Sequence, residues 1–389
     1  MQTSGAQAAG GAAVATIARA DRTPRLGFLD QTRAVLTLLV VLHHTAITYG
    51  GPGSWYYREP AAAGSLPVTL FTLFCAINQA FFMGAFFLIA GYVTPPSLAR
   101  KGLRRFAVDR SIRLGVPLLV YMLVLDGLTV AIARTARGAH FTDALANEML
   151  HGDFGPGPLW FVEALLIFTA VYAAWHWLVQ RTAQVDAAPL PSHRVLLAAA
   201  VLTGACAFVV RLWMPVGREI AHLQLGYFAS YVVLFAAGCI AARHRWLERI
   251  DRDCMQPWLI VALCTLPVLP VAVLVHGAIA HAPANVAGGA NPWALLYAYW
   301  EPFVAWGVLL ALLWGFRTHV APSRLQPLAR RAYAIYCFHP PVVVAISVAL
   351  RGWAAPALLK FATVGTLSCV ALYLLAGALL RVPLLARVW

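Results

Sequence analysis

The chain has 389 residues, of which 61% are hydrophobic and 11% are charged, and it carries a net charge of +14 with a mean hydropathy of +0.73. The hydrophobic residues come in runs of bilayer-spanning length, which excludes a soluble globular domain and indicates a polytopic membrane protein. The basic residues lie in short clusters between these runs and form no nucleic-acid-binding motif, so nucleic acid is not expected as a partner.

Residues 1–25 are rich in Ala, Gly and Thr, and no basic segment precedes an apolar core there. They are predicted to form a disordered cytoplasmic tail rather than a cleaved signal peptide. Residues 26–389 are predicted to form one integral membrane domain with ten apolar segments, each near the roughly 20 residues that span a bilayer. These segments are 32–49, 68–93, 112–133, 157–179, 195–213, 227–243, 258–276, 293–315, 332–350 and 357–380.

The distribution of basic residues between these segments predicts the topology. With the N-terminus in the cytoplasm, 22 of the 29 Lys and Arg residues fall on the inner side and 7 on the outer side. Positively charged segments are retained inside, so the asymmetry favours an all-α bundle of about ten transmembrane helices with both termini cytoplasmic. We therefore expect a multi-pass protein of the cell inner (plasma) membrane, with the lipid bilayer as its surroundings.

The first span begins at Leu29-Asp30 and carries Arg33 and His44, eleven residues apart. Eleven residues make about three helical turns, so Arg33 and His44 lie on one face, roughly 16 Å apart. Ionised groups inside a span cost about 2.5 to 3.5 kcal/mol each, so this polar stripe predicts a functional site that includes Asp30. In the alternative interpretation, Arg33 anchors the membrane boundary and His44 is a hydrogen-bonded packing residue.

Further ionisable residues are predicted in the outer half of the bundle. His44, Asp126 and Arg211 reach it from the inside, and Glu163 and Glu301 reach it from the outside. Unpaired charges at that depth are costly, so these groups should face one another or a water-filled cavity. Glu163 and Glu301 are candidate catalytic residues, and a structural ion pair, for instance between Glu163 and Arg211, is the open alternative.

Two candidate sites for a donor substrate lie nearer the inner side. Residues 100–113 form a basic loop in which Arg110 and Arg113 are one turn apart at the start of a helix. Guanidinium groups bind phosphate bidentately, although plain topology or contact with anionic lipid would explain the cluster equally well. His339 lies about 10 Å into the ninth span beside Pro340, and it is either a packing residue or a ligand-binding one.

Four motifs together resemble the acyltransferase family 3 membrane proteins, and within them the branch of the glucan-modifying protein C. They are Leu-Asp-x-x-Arg-x10-His in the first span, Arg-x-x-Arg-Leu-x-x-Pro before the third, Leu-Trp-Phe in the fourth and Tyr-x-x-Tyr-x-x-His-Pro-Pro in the ninth (residues 29–44, 110–117, 159–161 and 333–341). The resemblance covers essentially the whole chain from about residue 25. One departure is Ala90-Gly91, where many members have Ser-Gly.

The resemblance implies transfer of an acyl group, such as acetyl or succinyl, from cytoplasmic acyl-CoA to a hydroxyl of an extracytoplasmic saccharide or other envelope acceptor. The arginine and histidine of the family motif carry over to Arg33 and His44, since His43 lies one residue short of the spacing. An imidazole is suited to accept the proton of the attacking hydroxyl. Arg33 either holds the donor or pairs with Asp30 at the helix start. Direct transfer is favoured over an acyl-enzyme because no serine or cysteine stands in a triad-like pattern.

Two other classes of function compete with an O-acyltransferase. Intramembrane charges in a ten-span bundle also suit a transporter or flippase of an envelope precursor, although no inverted repeat is visible. A non-catalytic partner in an envelope polysaccharide pathway is a third alternative. The seven cysteines include no Cys-x-x-Cys pair, so neither a disulfide framework nor a metal is expected.

Overall fold

A computed structural model describes residues 26–152, 154–179, 188–321 and 323–388. The predicted disordered tail, residues 1–25, lies outside these ranges. The regular structure in the described ranges is helical, apart from one isolated bridge between Ile220 and Leu223. The helices are α1 (Gly27–Thr48), α2 (Leu66–Lys101), α3 (Leu103–Thr135), α4 (Phe141–His151), α5 (Gly157–Val179), α6 (His193–Trp213), α7 (Leu225–His244), α8 (Arg252–Ala280), α9 (Pro292–His319), α10 (Gln326–Ala349) and α11 (Ala357–Leu379).

Nine helices in the described part of the chain are long and apolar enough to cross a membrane, namely all except α1 and α4. Helix α1 has 22 residues, but Asp30, Gln31, Arg33, His43 and His44 make it more polar than the others. The protein is therefore a multi-pass, all-α membrane protein. The ten predicted apolar segments correspond to α1 and these nine helices.

The outward-facing side chains of the bundle fit a lipid environment. Large apolar residues are exposed along α5, α6, α8 and α11, for example Ile167, Leu202, Leu274 and Leu374. A water-soluble protein rarely exposes so continuous an apolar surface, whereas hydrocarbon chains cover it at no cost. Several polar residues of α1 instead face neighbouring helices, since Gln31, Thr37 and His43 are buried.

Helix α1 lies inside the bundle. It packs against α2, α9, α10 and α11, and its closest association is with α10. Its apolar residues, including Leu36, Val40 and Val41, are almost fully buried in these contacts. The most polar of the long helices is thus also one of the most enclosed, which is the arrangement expected when polar groups inside a membrane serve a site.

Two predicted boundaries were wrong, and both affect the site. The segment 100–113 is mostly helical rather than a loop, because α2 continues to Lys101 and α3 starts at Leu103 after a single break at Gly102, whose φ is +71°. Helix α10 begins at Gln326, not at residue 332. The polar first turns of α10, residues 326–331, were therefore missing from the predicted segment.

The pair Ala90-Gly91, at the departure from the family pattern, lies where α2 crosses α7 at close range. A side-chain carbon built on Gly91 would lie 2.2 Å from the carbonyl oxygen of Phe235, and one on Gly238 would lie 2.2 Å from that of Leu88. Only glycine fits two backbones at this separation. The glycine of the motif is therefore explained by helix packing.

Candidate active site

His44 on α1 meets His339 on α10 inside the bundle. The Nε2 atom of His339 is 3.1 Å from the Nδ1 atom of His44, and the two ring centroids are 4.9 Å apart. His339 is completely buried, whereas His44 keeps a partly accessible surface. The sequence predicted His339 to lie well below His44, and this relative depth was wrong, because α10 packs against α1 with the two rings at the same level.

The neighbours of the two rings fix which nitrogens carry protons. The Nδ1 atom of His339 is 2.6 Å from the carbonyl oxygen of Tyr336, and a carbonyl oxygen only accepts, so this Nδ1 carries hydrogen. That carbonyl is available because Pro340, four residues later, has no N–H to occupy it. The Nδ1 atom of His44 is likewise 3.0 Å from the carbonyl oxygen of Val40.

Neutral tautomers follow from these contacts. The Nδ1–H of His44 points at the Val40 carbonyl and at the lone pair on Nε2 of His339. The remaining lone pair of His44 is then on Nε2, which is the atom that can accept a proton from a substrate. His339 thus contacts the ring of His44 through Nε2 and the carbonyl oxygen of Tyr336 through Nδ1.

The loop that joins α1 to α2 covers His44 with an aromatic ring. The Trp55 ring is stacked on His44 with centroids 4.3 Å apart and planes 26° from parallel. The Nε1–H group of Trp55 is buried and donates no hydrogen bond within the described part of the chain. A buried, unused donor beside a histidine is costly unless a ligand satisfies it, so this group suits a polar atom of a substrate.

Charged contacts hold that loop in place. Arg58 donates to the carbonyl oxygens of Gly51 and Gly53, at 2.8 and 2.7 Å. Next to it, Glu59 accepts from the Nζ of Lys360 on α11 at 2.7 Å, and both side chains are largely buried. These bonds tie the loop to itself and to the bundle, so Trp55 covers a preorganised site.

Trp55 and the next residue, Tyr56, form one wall of the candidate site, and Tyr56 extends this wall away from His44. Its hydroxyl donates to the carboxylate of Asp126 and is 2.9 Å from the hydroxyl of Tyr121, both on α3. Burial and the Asp126 carboxylate raise the pKa of Tyr56, so this hydroxyl stays protonated and donates. Gly157, whose φ is +46°, passes so close that an added side-chain carbon would lie 2.3 Å from the Tyr56 hydroxyl.

The motif Tyr-x-x-Tyr-x-x-His uses its spacing to reach three neighbours from one face of α10. The hydroxyl of Tyr333 donates to the carbonyl oxygen of Arg113 at 2.8 Å, and that of Tyr336 donates to the carbonyl oxygen of Pro158. His339, three residues further, meets His44. Residues three apart share a helix face, so one stripe connects α10 to α3, to the start of α5 and to α1.

The other end of α1 carries the charged half of its motif. Arg33 is exposed and forms an ion pair with Asp30, one turn earlier. Arg110 on α3 lies near enough for the two positive charges to interact, and its guanidinium lies over the ring of Phe106. The Nε–H of Arg110 is buried and donates no hydrogen bond within the described residues. Arg113 instead pairs with Asp109 at 3.2 Å and is mostly exposed.

Glu301 belongs to a second polar cluster, built from other helices. Its carboxylate pairs with Arg211 of α6, and both side chains are almost fully buried, at 3% and 1% exposure. The guanidinium also donates to the carbonyl oxygen of Gly226 and lies over the rings of Tyr227 and Tyr297. This arrangement is a desolvated ion pair that joins α6, α9 and the start of α7.

Glu163 does not form the ion pair with Arg211 that the sequence left open, because Arg211 already pairs with Glu301. Its nearest opposite group is the imidazole of His222, at 3.9 Å and half-exposed. One carboxylate oxygen of Glu163 is buried without a hydrogen bond from the described residues. The two carboxylates predicted as catalytic therefore have different surroundings, and neither is among the partners of His44 described above.

Comparison with known families assigns the chain to one of them. The model of the acyltransferase domain of family 3 matches residues 26–381, which is nearly the whole described chain. The chain belongs to the acyltransferase 3 family. In this family member, the Arg33 to His44 motif forms the central helix, and the motifs before the third span and in the ninth span supply the groups around its two ends.

Individual relatives are more distant. The glucans biosynthesis protein C of Salmonella schwarzengrund is 36% identical over 96 residues, which is 25% of this chain and 23% of the relative. Those of Salmonella paratyphi A and Salmonella agona are each 28% identical over 239 residues, or 57% of this chain and 59% of theirs. The matched part thus spans at most about three-fifths of these relatives. No solved structure shows significant similarity to the chain.

Sequence reasoning missed the aromatic loop residues at the candidate site of this acyltransferase 3 family member. Trp55 and Tyr56 lie in a loop, outside the apolar segments. A loop has no regular hydrophobic period, so the sequence does not predict which of its side chains pack against a helix. Two signals were available. Three aromatic residues in a row (55–57) follow the span that carries His44, and Asp126 is an acidic residue inside an apolar segment.

Proposed function

We propose that this protein is an O-acyltransferase of the cell inner membrane. It would take an acyl group such as acetyl or succinyl from cytoplasmic acyl-CoA and transfer it to a hydroxyl of a saccharide on the outer side. The names of the relatives make a glucan the first acceptor to test. The excess of basic residues on one side of the spans supports cytoplasmic termini, which a reporter fused to the C-terminus would test.

One observation carries this proposal: His44 has its Nδ1 held by His339 and Val40 and its Nε2 left for chemistry. In the proposed reaction, Nε2 accepts the proton of the acceptor hydroxyl while the hydroxyl oxygen attacks the thioester carbonyl carbon. The C–S bond of the tetrahedral intermediate then breaks. The imidazolium returns the proton to the departing thiolate, which yields the ester and free CoA.

Trp55 is proposed to stabilise the charge that develops in this step. Attack on a thioester moves negative charge onto the carbonyl oxygen, and fixed donors near that oxygen lower the barrier. The buried Nε1–H of Trp55 is such a donor, in stacking contact with the base and unused by the described residues. Its loop is anchored by Arg58 and Glu59, so little reorganisation is needed.

The donor is proposed to bind at the opposite end of α1. Arg33 and Arg110 lie near one another there, and the unused Nε–H of Arg110 suits a phosphate oxygen of CoA. Arg113, already paired with Asp109, would contribute less. The pantetheine arm would lie along α1, over the roughly three turns that separate Arg33 from His44. In this proposal His339 positions the base instead of binding the donor.

Release of free thiol distinguishes this function from its competitors. Purified full-length protein in nanodiscs would be incubated with acetyl-CoA or succinyl-CoA and a glucan oligosaccharide. Thiol would be followed by a colorimetric reagent and the ester by mass spectrometry. Equimolar thiol and ester with wild-type protein, and their loss with His44→Ala, would support the proposal. No release with any donor and acceptor pair would favour a transporter, a flippase or a non-catalytic partner, because none of these consumes acyl-CoA.

A further inference from the structure

A cavity of about 260 Å³ lies beside the wall of the proposed active site and has no role in the mechanism above. It is lined by Tyr56 from the loop over α1 and by Val130, Ala133, Arg134 and Arg137 from the end of α3 and the turn after it. Its lining thus joins two arginines to the loop that covers His44. The size suits one sugar unit or a small charged group.

The cavity is adjacent to His44 through two consecutive residues. Tyr56 forms part of the cavity lining, and the Tyr56 ring touches the ring of Trp55, with centroids 5.3 Å apart. The opposite neighbour of Trp55 is His44. Two aromatic rings, those of Tyr56 and Trp55, therefore separate the cavity from the proposed base, so only an extended molecule would bring a hydroxyl from the cavity past them to Nε2.

The charge around the cavity is strongly positive. Arg134 pairs with Glu148, but Arg137 forms no ion pair with the described residues. Arg351, at the end of α10, donates to the carbonyl oxygen of Thr135 in the same turn, and it too has no carboxylate partner among the described ion pairs. Two guanidiniums therefore line the cavity, a third lies at the adjoining turn, and the buried carboxylate of Glu148 pairs with one of them, Arg134. Only 7 of the 29 basic residues are assigned to this side of the membrane, so topology does not account for the cluster.

We infer that this cavity binds an anionic group, a phosphate or a carboxylate, carried by the acceptor saccharide. The inference rests on the proposed function and adds the class of acceptor to it. Guanidinium groups bind planar or tetrahedral oxyanions through paired, charge-assisted hydrogen bonds. The acceptor would be held by its charged group between Arg134 and Arg137, with a hydroxyl of a neighbouring sugar at His44.

Binding without turnover provides the test. Full-length protein in nanodiscs of neutral lipid would be titrated, in the absence of acyl-CoA, with a glucose oligosaccharide and with the same oligosaccharide carrying one phosphate. We expect the phosphorylated form to bind at least about tenfold more tightly. Arg137→Gln should weaken its binding about tenfold to a hundredfold and leave the neutral form unchanged, because a charge-assisted bond is lost. Arg218→Gln is the matched control, since Arg218 is exposed in another loop assigned to the same side and does not line the cavity.

The outcomes are separable from those of the proposed function. Equal binding of the two oligosaccharides, or equal weakening of both by Arg137→Gln, would overturn the anion site. A preference that vanishes when anionic lipid is added, with the lipid competing at Arg137, would assign the cavity to lipid headgroups and also overturn it. The proposed function fails instead if no acceptor releases thiol from acyl-CoA, whatever the binding experiment gives.

Discussion

The imidazole rings of His44 and His339 are joined by a 3.1 Å contact, although 295 residues separate them in the chain. His44 belongs to the helix with the longest recognisable motif, and His339 to a helix whose proline frees the carbonyl that holds its ring. The contact makes the two motifs one unit: one histidine is the proposed base and the other fixes its orientation.

The first prediction concerns the base itself. We expect His44→Ala to reach normal abundance in the membrane but to lose about a hundredfold to ten-thousandfold in turnover, because general acid-base assistance is removed. His43→Ala is the matched control, since the ring of His43 packs against Phe82, about 100° around the helix from His44. Its turnover should change little, with its effect confined to stability. Near wild-type turnover in His44→Ala, or loss of turnover in His43→Ala, would contradict the assignment of His44 as the base.

The second prediction separates a positioning role from a packing role for His339. His339→Leu fills the space but cannot accept from His44, and we expect kcat to fall about tenfold to a hundredfold with little change in the KM of either substrate. His339→Asn retains an oxygen acceptor and should recover part of that kcat. If both variants lose thermal stability and keep kcat, His339 only packs.

The sequence predicted which residues share one face of α1, but it predicted the partners of α1 poorly. The spacing of Arg33 and His44 on one face follows from helical periodicity, which sequence contains directly. The contact with His339 depends on how α10 packs against α1, which the hydrophobicity pattern of neither helix specifies. Trp55 depends on the path of a loop, which no periodic signal specifies.

The sequence also predicted that polar residues inside the spans need partners, but it did not predict which residues pair. The sequence required Arg211, Glu163 and Glu301 to find partners, because bare charges in hydrocarbon are prohibitive. It could not choose between two carboxylates at similar depth, and the choice of Glu301 follows from the packing of α6 against α9. The catalytic roles predicted for Glu163 and Glu301 stay predictions.

The third prediction tests the donor of a hydrogen bond to the oxyanion. Trp55→Phe keeps an aromatic ring over His44 but removes the Nε1–H, and we expect kcat to fall about a hundredfold to a thousandfold, as for loss of one oxyanion donor. Trp353→Phe, an exposed tryptophan in another loop, serves as the control. Unchanged kcat in Trp55→Phe would leave Trp55 as a cover for the histidine and nothing more.

The fourth prediction ranks the two arginines of the third span. Arg110→Ala should weaken acyl-CoA binding about tenfold to a hundredfold, because an unused, buried guanidinium N–H loses its phosphate partner. Arg113→Ala should have a smaller effect, since Arg113 is exposed and already paired with Asp109. Donor binding is best measured by competition with a non-hydrolysable CoA thioether. Arg105→Ala controls for the charge of the segment, because Arg105 is exposed in the same helix. Equal effects of the three substitutions would show that the basic cluster contributes only to membrane topology.

The fifth prediction distinguishes stability from catalysis at Glu301. Removing one partner of a buried ion pair leaves the other charge desolvated, which typically costs about 3 to 5 kcal/mol. We therefore expect Glu301→Gln to lower the melting temperature of the purified protein markedly. The less buried Glu163 should give a smaller shift in Glu163→Gln.

Replacing both partners of that pair provides the control. In the double variant Arg211→Met with Glu301→Leu, no charge is left buried, so most of the lost stability should return. Turnover per folded molecule in the double variant should then be close to that of the wild type, because the pair joins α6 and α9 rather than touching His44. A double variant that melts normally but no longer releases thiol from acyl-CoA would contradict this expectation and would make the carboxylate of Glu301 part of the reaction.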